Sequence, residues 1–382
     1  MYIDRHIARQ VAKIIKSKSC FLMGPRQTGK SSLIKNQLVT ECLVNLLDSD
    51  VYLRLSQRPA RLRDETKGHQ IVVIDEIQRI PELLNEVHLL IEERGTIFLL
   101  TGSSARKLRR SGVNLLGGRA RTRHLRPFSW YELADDFDLD KIIANGALPS
   151  IVFSDDPNED LKAYIDDYLR LEIAAEGFVK KLPAFSRFLE VAAMTSGSII
   201  NYANIASDAE VPKTTVYEYF EVLRETLIGA DLPAFKSTIK RKAISASKFY
   251  FFDNGVVRRL RRLDSIPMQS SIYGEFFESW LHHELLCWQD YHNLDDLCYW
   301  RSKSGFEVDF VIGGRHAIDV KAKERVSDRD LKGLIALAEE PGIETLTIVS
   351  KEEKNRTTHG ITIQPWKEFL KHLWQDNSLF LN

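Results

Sequence analysis

The stretch Gly24-Pro25-Arg26-Gln27-Thr28-Gly29-Lys30-Ser31 constrains this chain more than any other. A short apolar run, Cys20–Met23, precedes it, and a helical period over Ser31–Leu38 follows. Every fixed position of G-x-x-x-x-G-K-[ST] is filled, in a strand–loop–helix setting. The glycines let the backbone wrap an anion so that N–H groups point at its oxygens. The helix N-terminus behind the loop adds a favourable dipole. The spacing predicts a phosphate-binding loop made by Gly24, Pro25, Arg26, Gln27, Thr28, Gly29, Lys30, Ser31 and Ser32. Lys30 would reach the β- and γ-phosphates of a nucleotide, and the Ser31 hydroxyl would ligate Mg²⁺.

Two further segments fit the same site. Ile71–Ile74 reads as a buried strand that delivers Asp75 and Glu76 at its C-terminal end, where open α/β sheets bind ligands. Asp75 would hold Mg²⁺ through water, and Glu76 would polarise the attacking water. Thr96–Leu100 is a third apolar run, ending in Thr101-Gly102-Ser103-Ser104. Ser103, with Thr101 behind it, is the residue expected to orient that water; the alternative is a hydroxyl that caps the next helix. Leu43–Leu47 makes a fourth run, and helical periods over Ser31–Leu38 and Pro81–Glu93 lie between the strands. This alternation predicts a parallel sheet with helices on both faces.

The remaining composition excludes several classes. The chain has 382 residues, 44% hydrophobic and 28% charged, which argues for cores rather than disorder. Lys+Arg and Asp+Glu are 53 each, so the chain is no uniformly basic nucleic-acid coat. The charges nevertheless come in blocks: basic from Ala105 to Arg126, acidic from Glu132 to Glu176, basic again from Lys236 to Arg262. Cys20, Cys42, Cys287 and Cys298 form no C-x-x-C pair, and neither a signal peptide nor a long apolar run is present. These features predict a soluble cytoplasmic protein without a membrane partner.

The combination of Gly24–Ser31, Ile74-Asp75-Glu76-Ile77-Gln78-Arg79-Ile80-Pro81, Leu100–Ser104, Gly117-Gly118-Arg119 and Leu125–Leu133 resembles one prokaryotic family. That family pairs an AAA-type P-loop ATPase with a C-terminal domain of unknown function numbered 4143. The resemblance covers nearly the whole chain. It implies an α/β fold of the AAA+ class with a five-stranded parallel sheet, ATP hydrolysis, and assembly into a ring, six subunits being the favoured homo-oligomer. It also implies that Arg119 could serve a neighbouring subunit's γ-phosphate as an arginine finger, with Arg106, Arg109 and Arg110 as alternatives and an internal ion pair as the bland reading.

Beyond the ATPase core (1–135), the expected segments are an acidic helical linker (136–183), a winged-helix-like domain (184–245) and a nuclease-like C-terminal domain (246–382). Tyr202–Asp208, a turn at Val211–Thr215 and an apolar stripe over Val216–Leu227 read as helix, turn, helix. Lys213, Thr214 and Thr215 would meet phosphates or base edges, with Lys236–Lys242 near the wing. Glu307–Ile312 and Ala317–Lys321, joined by Gly313-Gly314, predict a hairpin bringing Asp309 near Asp319, with Lys321 on the face of Asp319. Two carboxylates for a divalent metal with a lysine beside them make a phosphodiesterase arrangement. It resembles the restriction-endonuclease-like superfamily, which implies Glu278, or second Glu275, as the helical carboxylate; Val308 departs from the proline of that pattern. His282-His283-Glu284 followed by Cys287 is too short a ligand set to read as zinc. The function expected is an ATPase that remodels or translocates DNA with a possible metal-dependent nuclease. The competing expectation is a nucleotide-dependent switch for a protein partner, its last domain inert.

Overall fold

A computed structural model describes all residues but 1, 39, 105–107, 109–115, 173–180, 293, 295–296 and 376–382. Among the described residues no helix is long and apolar enough to cross a membrane. By packing, the chain divides into two compact units. The first holds Met1–Phe128 with the short segments Leu148–Phe153 and Phe220–Ile228. The second holds Ser129–Ala147, Ser154–Tyr219 and Gly229–Asn382.

The first unit is built on strands β1 (Ser19–Met23), β2 (Cys42–Asn45), β3 (Ile71–Asp75), β4 (Ile97–Gly102) and β5 (Ala120–His124). They lie in the order β2-β3-β4-β1-β5, every neighbouring pair parallel. The three central strands, β1, β3 and β4, are buried almost throughout, which is why they read as unbroken apolar runs. Alternate residues Phe21 and Met23, Val72 and Ile74, Phe98 and Leu100 share one core with Leu83, Leu84, Val87 and Leu90 of the helix Leu83–Arg94. Each such side chain, fully buried, contributes about 1.5–3 kcal/mol. β5 escaped the sequence reading because it carries Arg121 and Arg123; it is the sheet's edge, where charged side chains reach water. Helix α1 (Lys30–Gln37) follows β1 through the glycine loop.

In the second unit, α2 (Leu182–Met194), β6 (Ser198–Ile199), α3 (Tyr202–Asp208), α4 (Lys213–Glu225, of which Lys213–Tyr219 belong to this unit), β7 (Gly229–Leu232) and β8 (Lys248–Phe251) follow in turn. The three strands form an antiparallel sheet in the order β6-β8-β7, and the long β7–β8 connection is a wing. Tyr219 packs on Phe185 and Phe188 at 5.0 and 5.1 Å between ring centres. α4 starts at Lys213, earlier than the apolar stripe implied. Pro212 lacks an N–H and its carbonyl accepts from Thr215 and Val216, so Lys213–Thr215 form the first turn rather than a loop.

Helix α5 (Ser271–His292) leads into β9 (Leu297–Arg301), β10 (Glu307–Ile312) and β11 (His316–Lys321). β12 (Thr345–Ser350), β13 (Arg356–Thr358) and β14 (Ile361–Pro365) complete a mixed sheet ordered β13-β14-β12-β11-β10-β9. Gly313 and Gly314, with φ of 59° and 69°, are the central residues of the expected hairpin turn, and Arg315 closes it by donating its N–H to Ile312 O at 3.1 Å. The wing runs along β9: Phe235 donates its N–H to Tyr299 O at 2.6 Å and Ile244 to Arg301 O at 2.8 Å. That contact covers an otherwise open sheet edge.

Glu284 of α5 accepts the Trp130 N–H at 2.8 Å, at the start of the short helix Trp130–Leu133. Burial pushes its carboxyl up to about 8, with the Glu132 charge adding to the rise. The native state therefore keeps a proton that the unfolded chain releases near the ordinary glutamate value, and stability falls as pH rises from about 4.3 toward about 8. Glu284→Gln removes that titration while keeping a carbonyl acceptor. Its stability relative to wild type should rise across this window, by on the order of 2–5 kcal/mol at the top. Urea unfolding at a series of pH values checks it; parallel curves for the two proteins would refute it.

Candidate active site

The order of the first sheet sets β4 between the glycine loop after β1 and the acidic end of β3. Gly24 donates its N–H to Gly102 O at 3.1 Å, so loop and β4 end are tied. A Cβ at Gly24 would stand 2.3 Å from Leu125 O, and Gly29 turns at φ 91°, which favours glycine at both. Arg5 braces the loop from beneath. Its guanidinium, 3% exposed, donates to Thr28 O at 2.7 Å and Arg126 O at 2.6 Å, and lies 4.7 Å over the Phe128 ring. No sequence motif pointed to Arg5.

The Lys30 ammonium curls back onto the Gly24 and Pro25 carbonyls at 2.9 Å each. Burial pushes it below the ordinary lysine range, while Glu76 and Asp75 pull it back up. A phosphate arriving in the loop would give this buried charge a stronger partner. The Ser31 hydroxyl donates to Asp75 Oδ2 at 2.7 Å, and the Thr101 hydroxyl donates to Asp75 Oδ1. Ser32, next along α1, is exposed. Thr101 Oγ1 in turn accepts the Glu76 N–H at 3.2 Å. Glu76 sits at φ 63°, a left-handed turn that costs a non-glycine residue about 1–2 kcal/mol and that this bond helps hold.

Ser103 lies beside Gln78 rather than Asp75. The Gln78 amide, 2% exposed, donates to Ser103 Oγ at 3.1 Å and to Glu76 Oε2. Thr101 therefore takes the nearer place and Ser103 joins the site through Gln78, a residue to which no motif assigns a role. Arg119 pairs with Glu92 at the surface. Arg106, Arg109 and Arg110 lie outside the described residues.

In the second unit the β10–β11 register sets Phe310 opposite Ile318, and so Asp309 opposite Asp319. Lys321 Nζ is 2.9 Å from Asp319 Oδ2 and 3.9 Å from Asp309 Oδ2. Glu278 joins them, while Glu275 points away to Arg261 at 2.8 Å. Lys248 and Tyr250 of β8 were not expected. Lys248 Nζ meets Glu307 at 2.8 Å, Glu278 at 3.2 Å and Asp309 at 3.9 Å, and the Tyr250 hydroxyl donates to Glu278 at 2.6 Å. Burial and the Asp309 anion hold the Asp319 carboxyl well above the usual range. These groups do not fit a divalent cation. The Lys248 and Lys321 ammoniums, the Tyr250 phenol and the Val320 N–H take carboxylate oxygens that a divalent cation would need, and although the acids stand close together, among the described residues no three acid, His or Cys side chains are arranged to hold a metal ion.

The basic blocks are largely used internally. Arg258 binds Ala144 O at 2.6 Å, Arg261 meets Glu275, and Arg262 meets Glu190 at 2.8 Å. On the wing, Glu340 accepts the N–H groups of Ile239, Lys240 and Arg241 at 2.6, 2.9 and 2.8 Å. Arg241 forms a two-pronged pair with Glu339, leaving Lys236, Lys240 and Lys242 exposed.

Residues 16–134 match the AAA domain family, and residues 273–369 match the domain of unknown function DUF4143. Residues 136–266, between them, match the domain of unknown function DUF8612. The chain thus carries an AAA-type P-loop ATPase domain with a DUF4143 domain at its C-terminal end. It is similar to uncharacterized proteins of Mycobacterium bovis and Mycobacterium tuberculosis, 25% identical over 324 residues that cover 82% of this chain and 72% of each relative. One similar solved structure is a signal transduction ATPase with numerous domains and a tetratricopeptide repeat sensor, from Pyrococcus horikoshii. Its TM-score is 0.23 and identity 14%, over 76% of this chain and 47% of that one, so the likeness spans about half of that protein. Another is the Bacillus subtilis DNA clamp loader delta protein, with TM-score 0.24 and 13% identity over 57% of this chain and 86% of that one.

Two substitutions separate the roles at the AAA site. Lys30→Ala should lose nucleotide binding, because it removes the ammonium held at the loop's Gly24 and Pro25 carbonyls. Glu76→Gln should keep binding and lower kcat about 10²-fold or more. Fluorescent-nucleotide titration and steady-state ATPase assays check both; wild-type turnover in Lys30→Ala would move the site elsewhere.

Proposed function

We propose that this chain is an enzyme that hydrolyses ATP with Mg²⁺ and uses the nucleotide cycle to act on DNA. The observation that carries the ATPase half is the single network joining Ser31, Asp75, Thr101 and Glu76 beside Lys30. Lys30 would leave the Gly24 and Pro25 carbonyls for the γ-phosphate. Ser31 and Asp75 would hold the metal, Asp75 through water. Bound Mg²⁺ supplies charge neutralisation at the β- and γ-oxygens. Glu76 would polarise the attacking water, with Gln78 and Ser103 fixing the direction of its carboxylate.

The wing supports the DNA half. Glu340 and Glu339 hold its backbone and Arg241, so Lys236, Lys240 and Lys242 stand outward on a loop ordered before any partner arrives. Ile239, 81% exposed, stands among them. The face of α4 is less suited to phosphates, since Glu218 and Glu221 are exposed along it. Contact with the DNA backbone through the wing, with little reading of sequence, follows from this. The acidic α4 face equally favours the second reading, a nucleotide-dependent switch for a protein partner. DNA-stimulated ATPase activity separates the two.

Replacing Lys236, Lys240 and Lys242 together, while leaving Arg241, should weaken binding to all DNA sequences alike. The slope of log affinity against log salt should fall by about 2–3. Fluorescence anisotropy at several salt concentrations reads both; unchanged affinity favours the switch.

Arg119 and Glu92 form an exposed pair that water and salt screen, so the guanidinium is easily released to a neighbour. We expect ATP-dependent assembly, six subunits being favoured. Arg119→Ala should then lower turnover without changing nucleotide affinity. Light scattering with ATP tests this, and a fully active monomer would remove Arg119 from the site.

A further inference from the structure

Glu278, Glu307, Asp309 and Asp319 meet where α5, β10 and β11 converge, and carboxylates so gathered need a cation. Lys321 of the sheet itself reaches Asp319, and the cation for the other acids comes from outside the β9–β14 sheet. Lys248, the first residue of β8, is 3% exposed, and its Nζ faces three of the four acids within 3.9 Å. Burial alone would push its ammonium down, but Glu278, Asp309 and Glu307 outweigh that and hold it above the ordinary lysine range. Tyr250, two residues on and so on the same face of β8, donates to the same Glu278 oxygen. Lys321 closes the other side at Asp319.

We propose that Lys248 is the resident cation of this cluster. A tethered ammonium takes the place a divalent metal would need, so the domain binds no catalytic metal there and cuts no phosphodiester bond. The acids instead anchor a strand. β8 ends the wing, so the cluster fixes the wing's C-terminal root while Glu340 fixes its middle. The metal and cleavage statements do not depend on what the wing binds.

The test is thermal unfolding of the full chain without nucleotide, with and without millimolar Mn²⁺. Wild type and Asp309→Asn should show the same Mn²⁺ shift in Tm, since any contribution from the nucleotide loop is common to both. Lys248→Ala should melt lower than wild type and regain Tm with Mn²⁺, and adding Asp309→Asn should abolish that regain. The wild-type comparison stands even if Lys248→Ala does not fold. A Mn²⁺ rise in wild type that Asp309→Asn abolishes would overturn the proposal. So would a folded Lys248→Ala that gains nothing from Mn²⁺, or DNA cleavage by wild type that Lys321→Ala abolishes.

Discussion

Asp75 is the residue on which the AAA site depends. It closes a strand with no polar side chain before it, and its two carboxylate oxygens take hydroxyl protons from α1 and from β4. Those bonds join three elements far apart in sequence at one edge of the sheet. The parallel order makes this possible, because every strand reaches that edge by its C-terminal end and the apolar bodies of the strands are buried. The same geometry explains why Gln78 can touch both Glu76 and Ser103: the turn after β3 folds back over the end of β4.

In the second unit, strands and charges cross a boundary that the sequence reading drew at residue 245. The wing pairs with β9, Glu340 holds its backbone, and Lys248 ends among acids of α5 and β10. The three-stranded sheet and the mixed sheet are therefore bound to each other by hydrogen bonds and buried charge. A buried ammonium among carboxylates contributes less through net attraction than through the penalty for removing it, since any acid left behind would be uncompensated.

Much of this was legible beforehand, and the failures have physical causes. β1, β3 and β4 announced themselves because strands buried on both faces admit only apolar residues. β5 did not, because an edge strand tolerates Arg121 and Arg123 and then reads as a charge block. The Asp309–Asp319 juxtaposition followed from a two-glycine turn, a local constraint that counting along the chain recovers. Lys248 was invisible for the opposite reason. It lies some sixty residues before Asp309, and nothing in the run Ser247-Lys248-Phe249 separates a buried ion-pair lysine from one at the surface. Thr101 and Ser103 were both in view, and residues two apart share a face of a strand, so the alternation could not choose between them; Thr101 lies within β4 beside Asp75, whereas Ser103 lies past the strand's end at Gly102 and meets Gln78.

The Arg5 contacts carry a lesson for handling the protein. A side chain near the start of the chain holds one carbonyl of the phosphate loop and one just past β5, and stacks on Phe128. Fusion partners, affinity tags or protease nicks placed close to Arg5 therefore act on the catalytic loop even though they are remote from it in sequence. The spacer between a tag and Arg5 is part of the enzyme's design, and weak activity in a tagged preparation is first a question about that spacer.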